Sequence, residues 1–126
     1  MRRHLRLIGT LFVFLFFSAC GLVEPKPTDI QAAYFGSRPS REEAVALVKA
    51  HMSKRLFDPY SAVYECDEPR KAWANLLGKL YYGYAITCNI NAKNRFGAYV
   101  GSEPNNFMIN TGAVILDGWA RAAYLE

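Results

Sequence analysis

Lys79 to Asn91 reads KLYYGYAITCNIN. Tyr82, Tyr84, Ile86, Cys88 and Ile90 take alternate positions, with Gly83, Ala85, Thr87 and Asn89 between them. Successive side chains of a strand point to opposite faces. The alternation therefore predicts a half-buried antiparallel strand with its even-numbered face inward. Everything else in the chain is placed relative to this strand.

On its C-terminal side, residues 92–101 (AKNRFGAYVG) read as a turn and the beginning of a return strand. Asn106 to Asn110 and Ala113 to Asp117 read as two strands joined by Thr111-Gly112. Asp117 is placed to cap a short last helix, Gly118 to Leu125. On the N-terminal side, Tyr60 to Cys66 (YSAVYEC) is a short strand rich in Tyr and Val. Asp67 to Gly78 contains Pro69, Arg70, Lys71 and Trp73 and reads as a connection, with one helical turn around Trp73 to Leu77.

Further upstream, Ser40-Arg41-Glu42-Glu43 is a capping box, in which the serine oxygen accepts an amide hydrogen bond and Glu43 reaches back. Val45, Val48, Met52 and Leu56 follow at spacings of three and four, the signature of one apolar helix face. Asp58-Pro59 stops the helix, because the residue before proline is pushed out of helical geometry. The expected fold is α+β: one amphipathic N-terminal helix packed on a three- to four-stranded antiparallel sheet, with a short C-terminal helix. A helix laid on one sheet face buries both apolar surfaces.

The first residues obey different rules. Arg2, Arg3 and Arg6 precede the apolar run Leu7 to Phe17 (LIGTLFVFLFF), and Ser18 and Ala19 lead into Cys20. A basic zone, an apolar zone of about ten residues and small residues at the cut define a secretory signal. The run is shorter than the roughly 20 residues a spanning helix needs. Phe17-Ser18-Ala19-Cys20 resembles the lipobox of bacterial lipoproteins, with Phe17 where the family usually has leucine. That resemblance implies cleavage before Cys20 and lipidation of Cys20. It also implies an outer-membrane address, because Gly21 is not acidic. Residues 1–19 are thus expected as signal peptide, 20–39 as a lipidated tether, and 40–126 as one periplasm-facing domain. The prolines Pro25, Pro27 and Pro39 argue for an extended tether, with Ile30, Tyr34 and Phe35 able to dock at its end.

Loss of the leader removes three of 15 basic residues and none of the 11 acids. The mature chain is near neutral, so the basic pI is a targeting feature and gives no support for a nucleic-acid partner.

With Cys20 committed to lipid, Cys66 and Cys88 remain. An even pair in an exported domain is most simply a disulfide, and two buried free thiols is the competing reading. Two cysteines and His51 lack a fourth strong ligand at zinc spacing, so neither metal nor cofactor is expected. His51 lies near the apolar helix face and is read as structural. Asp67 and Glu68 are adjacent on the chain and read as solvated loop acids. No nucleophile elbow, P-loop or zinc-protease motif occurs. The chain is expected not to be an enzyme.

The candidate binding surface is the segment NINAKNRFGAYVG, residues 89–101. Asn89, Asn91, Lys93, Arg95 and Tyr99 combine polar and aromatic groups at one end of the meander, although turn chemistry alone also accounts for asparagines and glycines here. Asp58-Pro59-Tyr60-Ser61-Ala62, Tyr82-Gly83-Tyr84 and Asn91-Ala92-Lys93-Asn94 with Gly97, Tyr99 and Gly101 resemble a set of small exported proteobacterial proteins. The resemblance carries over no activity and no catalytic residue. The expected function is a membrane-anchored, non-catalytic envelope lipoprotein that binds another envelope or secretion-system protein. The alternatives are a module binding peptidoglycan or another glycan, and a small periplasmic enzyme inhibitor.

Overall fold

The computed structural model describes residues 23–119 and 121–126. The expected signal peptide, residues 1–19, and the expected lipidation site, Cys20, lie outside the described residues. The chain runs α1 (Pro27–Ala32), α2 (Arg41–Met52), a 3-10 turn (Pro59–Ser61), β1 (Val63–Cys66), β2 (Arg70–Leu76), β3 (Lys79–Asn91), β4 (Glu103–Asn110), β5 (Ala113–Asp117) and β6 (Arg121–Tyr124). The architecture is α+β with two helices and one antiparallel sheet of six strands, a larger sheet than the three or four strands expected.

β3 is the long central strand. Its first half pairs with β2 and its second half with β1, while β4 runs along its other side. The even face of β3 is inward as expected: Ile86, Cys88 and Ile90 pack with Phe107 and Ile109 of β4. Ala44, Val48 and Met52 of α2 close this layer, and Val45, Leu47 and Leu56 flank it. The capping box is formed, with Ser40 Oγ accepting from the Glu43 amide at 3.2 Å and the Ser40 amide donating to Glu43 at 2.8 Å. Arg41 donates twice to the Cys66 carbonyl, at 3.1 and 2.8 Å, and ties the start of α2 to the end of β1.

The odd face of β3 is also buried over its first half. Ala72, Ala74, Ala85, Met108 and Leu116 form a second core, flanked by Leu76, Tyr81, Trp119 and Ala122. Topology explains how. The sheet order is β5-β4-β3-β2-β6, so β5 and β6 are opposite ends of the path. Four strand spacings in a flat sheet span about 19 Å. The chain from Asp117 to Arg121 reaches at most about 14 Å. The sheet must curl until its ends approach, and the second core lies inside the curl. Alanines suit so narrow an interior, and Gly83 is needed there. A Cβ on Gly83 would lie 2.3 Å from the Ile109 carbonyl oxygen.

Three expectations require correction. Asp67–Gly78 is not merely a connection, since Arg70–Leu76 is β2, paired on both sides. Gly118–Leu125 is not a helix. Arg121–Tyr124 is β6, paired with β2, and Asp117 bonds His51 and Arg55 instead of capping a helix. Pairing along β2 overrides the helix propensity of an alanine-bearing segment. The expected return strand in residues 92–101 is a loop with one bridge, Lys93 to Tyr99.

The expected tether is not extended throughout. Pro27 begins α1, Phe35 is buried against Tyr82, and the Lys71 ammonium lies 4.5 Å from the Phe35 ring centre. Further back, the Val23 carbonyl accepts from Asn75 Nδ2 at 2.7 Å, and Glu24 pairs with Arg121. Residues 23–39 thus cover the part of the sheet that α2 leaves open. Among the described residues, no helix is long and apolar enough to cross a membrane.

Candidate functional site

Cys66 and Cys88 form a disulfide. They are direct cross-strand partners in the β1–β3 register, and both are buried under α2. The bridge closes a loop of 22 residues that contains all of β2 and most of β3.

Beyond the bridge, β1 and the end of β3 carry the candidate surface. Opposite partners share a face, so Val63 and Glu65 of β1 stand beside Asn91 and Asn89 on the side away from α2. With Tyr99 and Ser102 they line a shallow depression of about 390 Å³. The structure therefore brings Asn89, Asn91 and Tyr99 together. Lys93 sits at the rim with its ammonium 5.5 Å from the Tyr99 ring centre. Arg95 is not in the depression. It lies at the exposed loop tip, with its guanidinium 5.0 Å from the Phe96 ring centre.

The loop above this depression is fixed by local hydrogen bonds. Asn94 Oδ1 accepts from the amides of Phe96 and Ala98, and Gly97 takes the left-handed conformation (φ 78°) that the tight turn requires. Asn91 Oδ1 accepts from the Gly101 amide. Ser61 is the central pin. Its Oγ accepts from the Lys93 amide at 2.9 Å and its carbonyl accepts from the Tyr99 hydroxyl at 2.9 Å. Asp58 in turn caps the turn that holds Ser61, accepting from its amide at 3.2 Å. Asp58, Ser61, Asn91, Asn94, Gly97, Tyr99 and Gly101 form one bonded unit. Much of the distinctive sequence pattern is thus loop architecture.

Sequence reasoning missed Val63, Glu65 and Ser102 as lining residues. The alternation in Val63-Tyr64-Glu65-Cys66 held the signal, because an inward Cys66 turns Val63 and Glu65 outward. It also missed Phe57 and Tyr60 as exposed groups at the same pole, whereas Phe96 and Val100 fall within the expected segment 89–101. Tyr60 is fully exposed, Phe96 is 80% exposed, and Phe57 and Val100 are exposed nearby.

His51 is structural. Its ring packs edge-on against Phe107 at 5.9 Å, and Nε2 lies 2.9 Å from Asp117 Oδ2. Arg55 pairs with the same carboxylate oxygen. Burial, then the cationic Arg55 and Lys54, hold the imidazole below its usual pKa. At neutral pH the uncharged ring donates Nε2–H to Asp117 and fastens α2 to β5. Among the described residues, no three His, Cys, Asp or Glu side chains gather as a metal site. Asp67 and Glu68 are both exposed, and Glu68 faces Arg41 at 3.9 Å.

No protein-family model, no curated protein and no solved structure matches the chain.

Proposed function

We propose that this protein is a non-catalytic lipoprotein of the bacterial envelope, held in the outer membrane through Cys20, that binds another envelope or secretion-system protein at the pole formed by residues 57–63 and 89–102. One observation carries the binding reading. Large apolar side chains stand in water at one end of the domain, around a loop that is rigidly pinned. Tyr60, Phe96, Val100 and Phe57 contribute nothing to either core in those positions. Exposed apolar groups gathered in one place and rimmed by polar ones mark protein interaction sites. Lys93 at the rim and Arg95 at the loop tip, with Glu65 and Glu103 in the adjoining depressions, give the pole a mixed charge that a partner surface would have to match. The buried disulfide supports an oxidising compartment.

Site-specific photocrosslinking in live cells tests the reading. A photoreactive residue at Phe96, compared with one at Gly112, should give a defined protein adduct that Lys93→Glu weakens. Recovery of glycan alone would point to a peptidoglycan-binding module instead. Equal labelling from both positions would remove the case for this pole. Cys20→Ser should abolish lipid labelling of the chain; persistence of labelling would show that the anchor has been misassigned.

A further inference from the structure

The hairpin between β2 and β3 ends in Leu77-Gly78, and both residues have positive φ (52° and 81°). Two-residue turns of this kind favour asparagine, aspartate or glycine at the first position, because other residues are strained there. Leucine is a poor choice on conformational grounds, and packing does not explain it: Leu77 is 95% exposed.

Its position supplies a reason. The Asn75 side chain donates to the Val23 carbonyl at 2.7 Å and accepts from the Gly78 amide at 3.1 Å. One buried asparagine therefore binds both the start of the described chain and the tip of the hairpin. Only Gly21 and Leu22 separate Val23 from Cys20. Three residue steps reach at most about 11 Å. A lipid on Cys20 must enter its bilayer close to Leu77. Around the tip, Val23 and Lys79 are exposed, and the Lys79 ammonium lies 5.0 Å from the Tyr81 ring centre. An apolar tip flanked by a lysine and a tyrosine suits a bilayer interface with anionic headgroups.

The geometry points to Leu77 as a second membrane contact: the β2–β3 tip inserts beside the Cys20 lipids, and the bilayer is its partner. This rests on the lipid-anchor reading above. Two contacts fix the orientation of a domain that one flexible lipid leaves free to tumble. β3 is 13 residues long. At about 3.3 Å per residue, it carries the residue 89–102 pole roughly 40 Å from the Leu77 tip.

The test uses the lipidated full-length product on vesicles of phosphatidylethanolamine and phosphatidylglycerol. Nitroxide labels on Lys79→Cys and, separately, Phe96→Cys are read by oxygen and nickel-chelate accessibility. The label at 79 should be shielded from the chelate and the label at 96 fully open to it. Leu77→Asn, which suits the turn, should raise chelate access at 79 severalfold without altering 96. Mass spectrometry of the Cys20 peptide separates the two ways to fail. If Cys20 carries lipid and position 79 is as open as 96, membrane insertion is wrong while the anchor stands. If Cys20 carries no lipid, both readings fall.

Discussion

Removing the disulfide should cost this domain a large share of its stability. The bridge closes a 22-residue loop. Chain-entropy arithmetic for that length gives about 3.4 kcal/mol at 25 °C. A domain this small typically has only about 5–10 kcal/mol in total. The structure adds a reason to expect the full effect. β1 pairs with β3 alone, over four residues, and stands off the main strand path. Without the bridge, β1 retains that short ladder and the Arg41 bonds to the Cys66 carbonyl. Cys66→Ala/Cys88→Ala avoids burying a lone thiol or a hydroxyl. Urea unfolding of the oxidised wild type, the double variant and the reduced wild type measures the loss. Both altered forms should lose about 3 kcal/mol, equivalent to a fall of roughly 12–25 °C in Tm. Amide exchange should quicken first at Glu65 and Asp67, whose N–H groups face β3, and then in residues 93–101, because Ser61 pins that loop. A loss below about 1 kcal/mol would refute the loop-closure reasoning and show that β1 is held by its packing under α2.

Gly83→Ala should destabilise by about 3 kcal/mol, because the added methyl meets backbone of β4 that has no side-chain freedom to yield; an unchanged urea midpoint would show that the strands part without penalty. Stability should fall as pH drops below about 6.5. His51 has a depressed pKa in the fold, so the unfolded chain takes up its proton first, and the contribution is complete above the unfolded value. His51→Gln should flatten that limb of the pH–stability curve, and a curve unchanged by the substitution would assign it to other groups. Leu77→Asn should stabilise the unlipidated domain by about 1 kcal/mol through relief of left-handed strain; a lower Tm would mean that Leu77 packs on something in solution.

The parts of the fold that could be read from sequence are those governed by local rules. The β3 alternation, the Ser40 capping box and the Thr111-Gly112 turn each contain their own explanation, and each is formed where expected. Pairing of Cys66 with Cys88 followed from counting. β2 and β6 were not legible, and the cause is shared. Their inward residues are Ala72, Ala74 and Ala122, small because they fill a curled sheet. Alanine gives no alternating hydrophobic contrast, and locally it favours helix. What makes these segments strands is pairing with partners as distant in the chain as Tyr124 is from Ala72.

The candidate site divides in the same way. Asn89, Asn91 and Tyr99 could be placed together because strand parity and turn composition are local. Their anchoring to Ser61 could not, since it depends on a turn some thirty residues upstream. Asn94, Gly97 and Asn91 obey turn chemistry, so fold requirements account for them fully. Tyr60, Phe96 and Leu77 do not, because each exposes a large apolar group where a polar residue would serve the fold equally or better. Tyr60 and Phe96 lie at the far end of β3, and Leu77 lies beside the bond that holds Val23. A chain held to a bilayer at one end and to a partner at the other has a use for apolar surface at both ends. Under the proposed reading, Leu77 meets the bilayer and Tyr60 and Phe96 meet a partner.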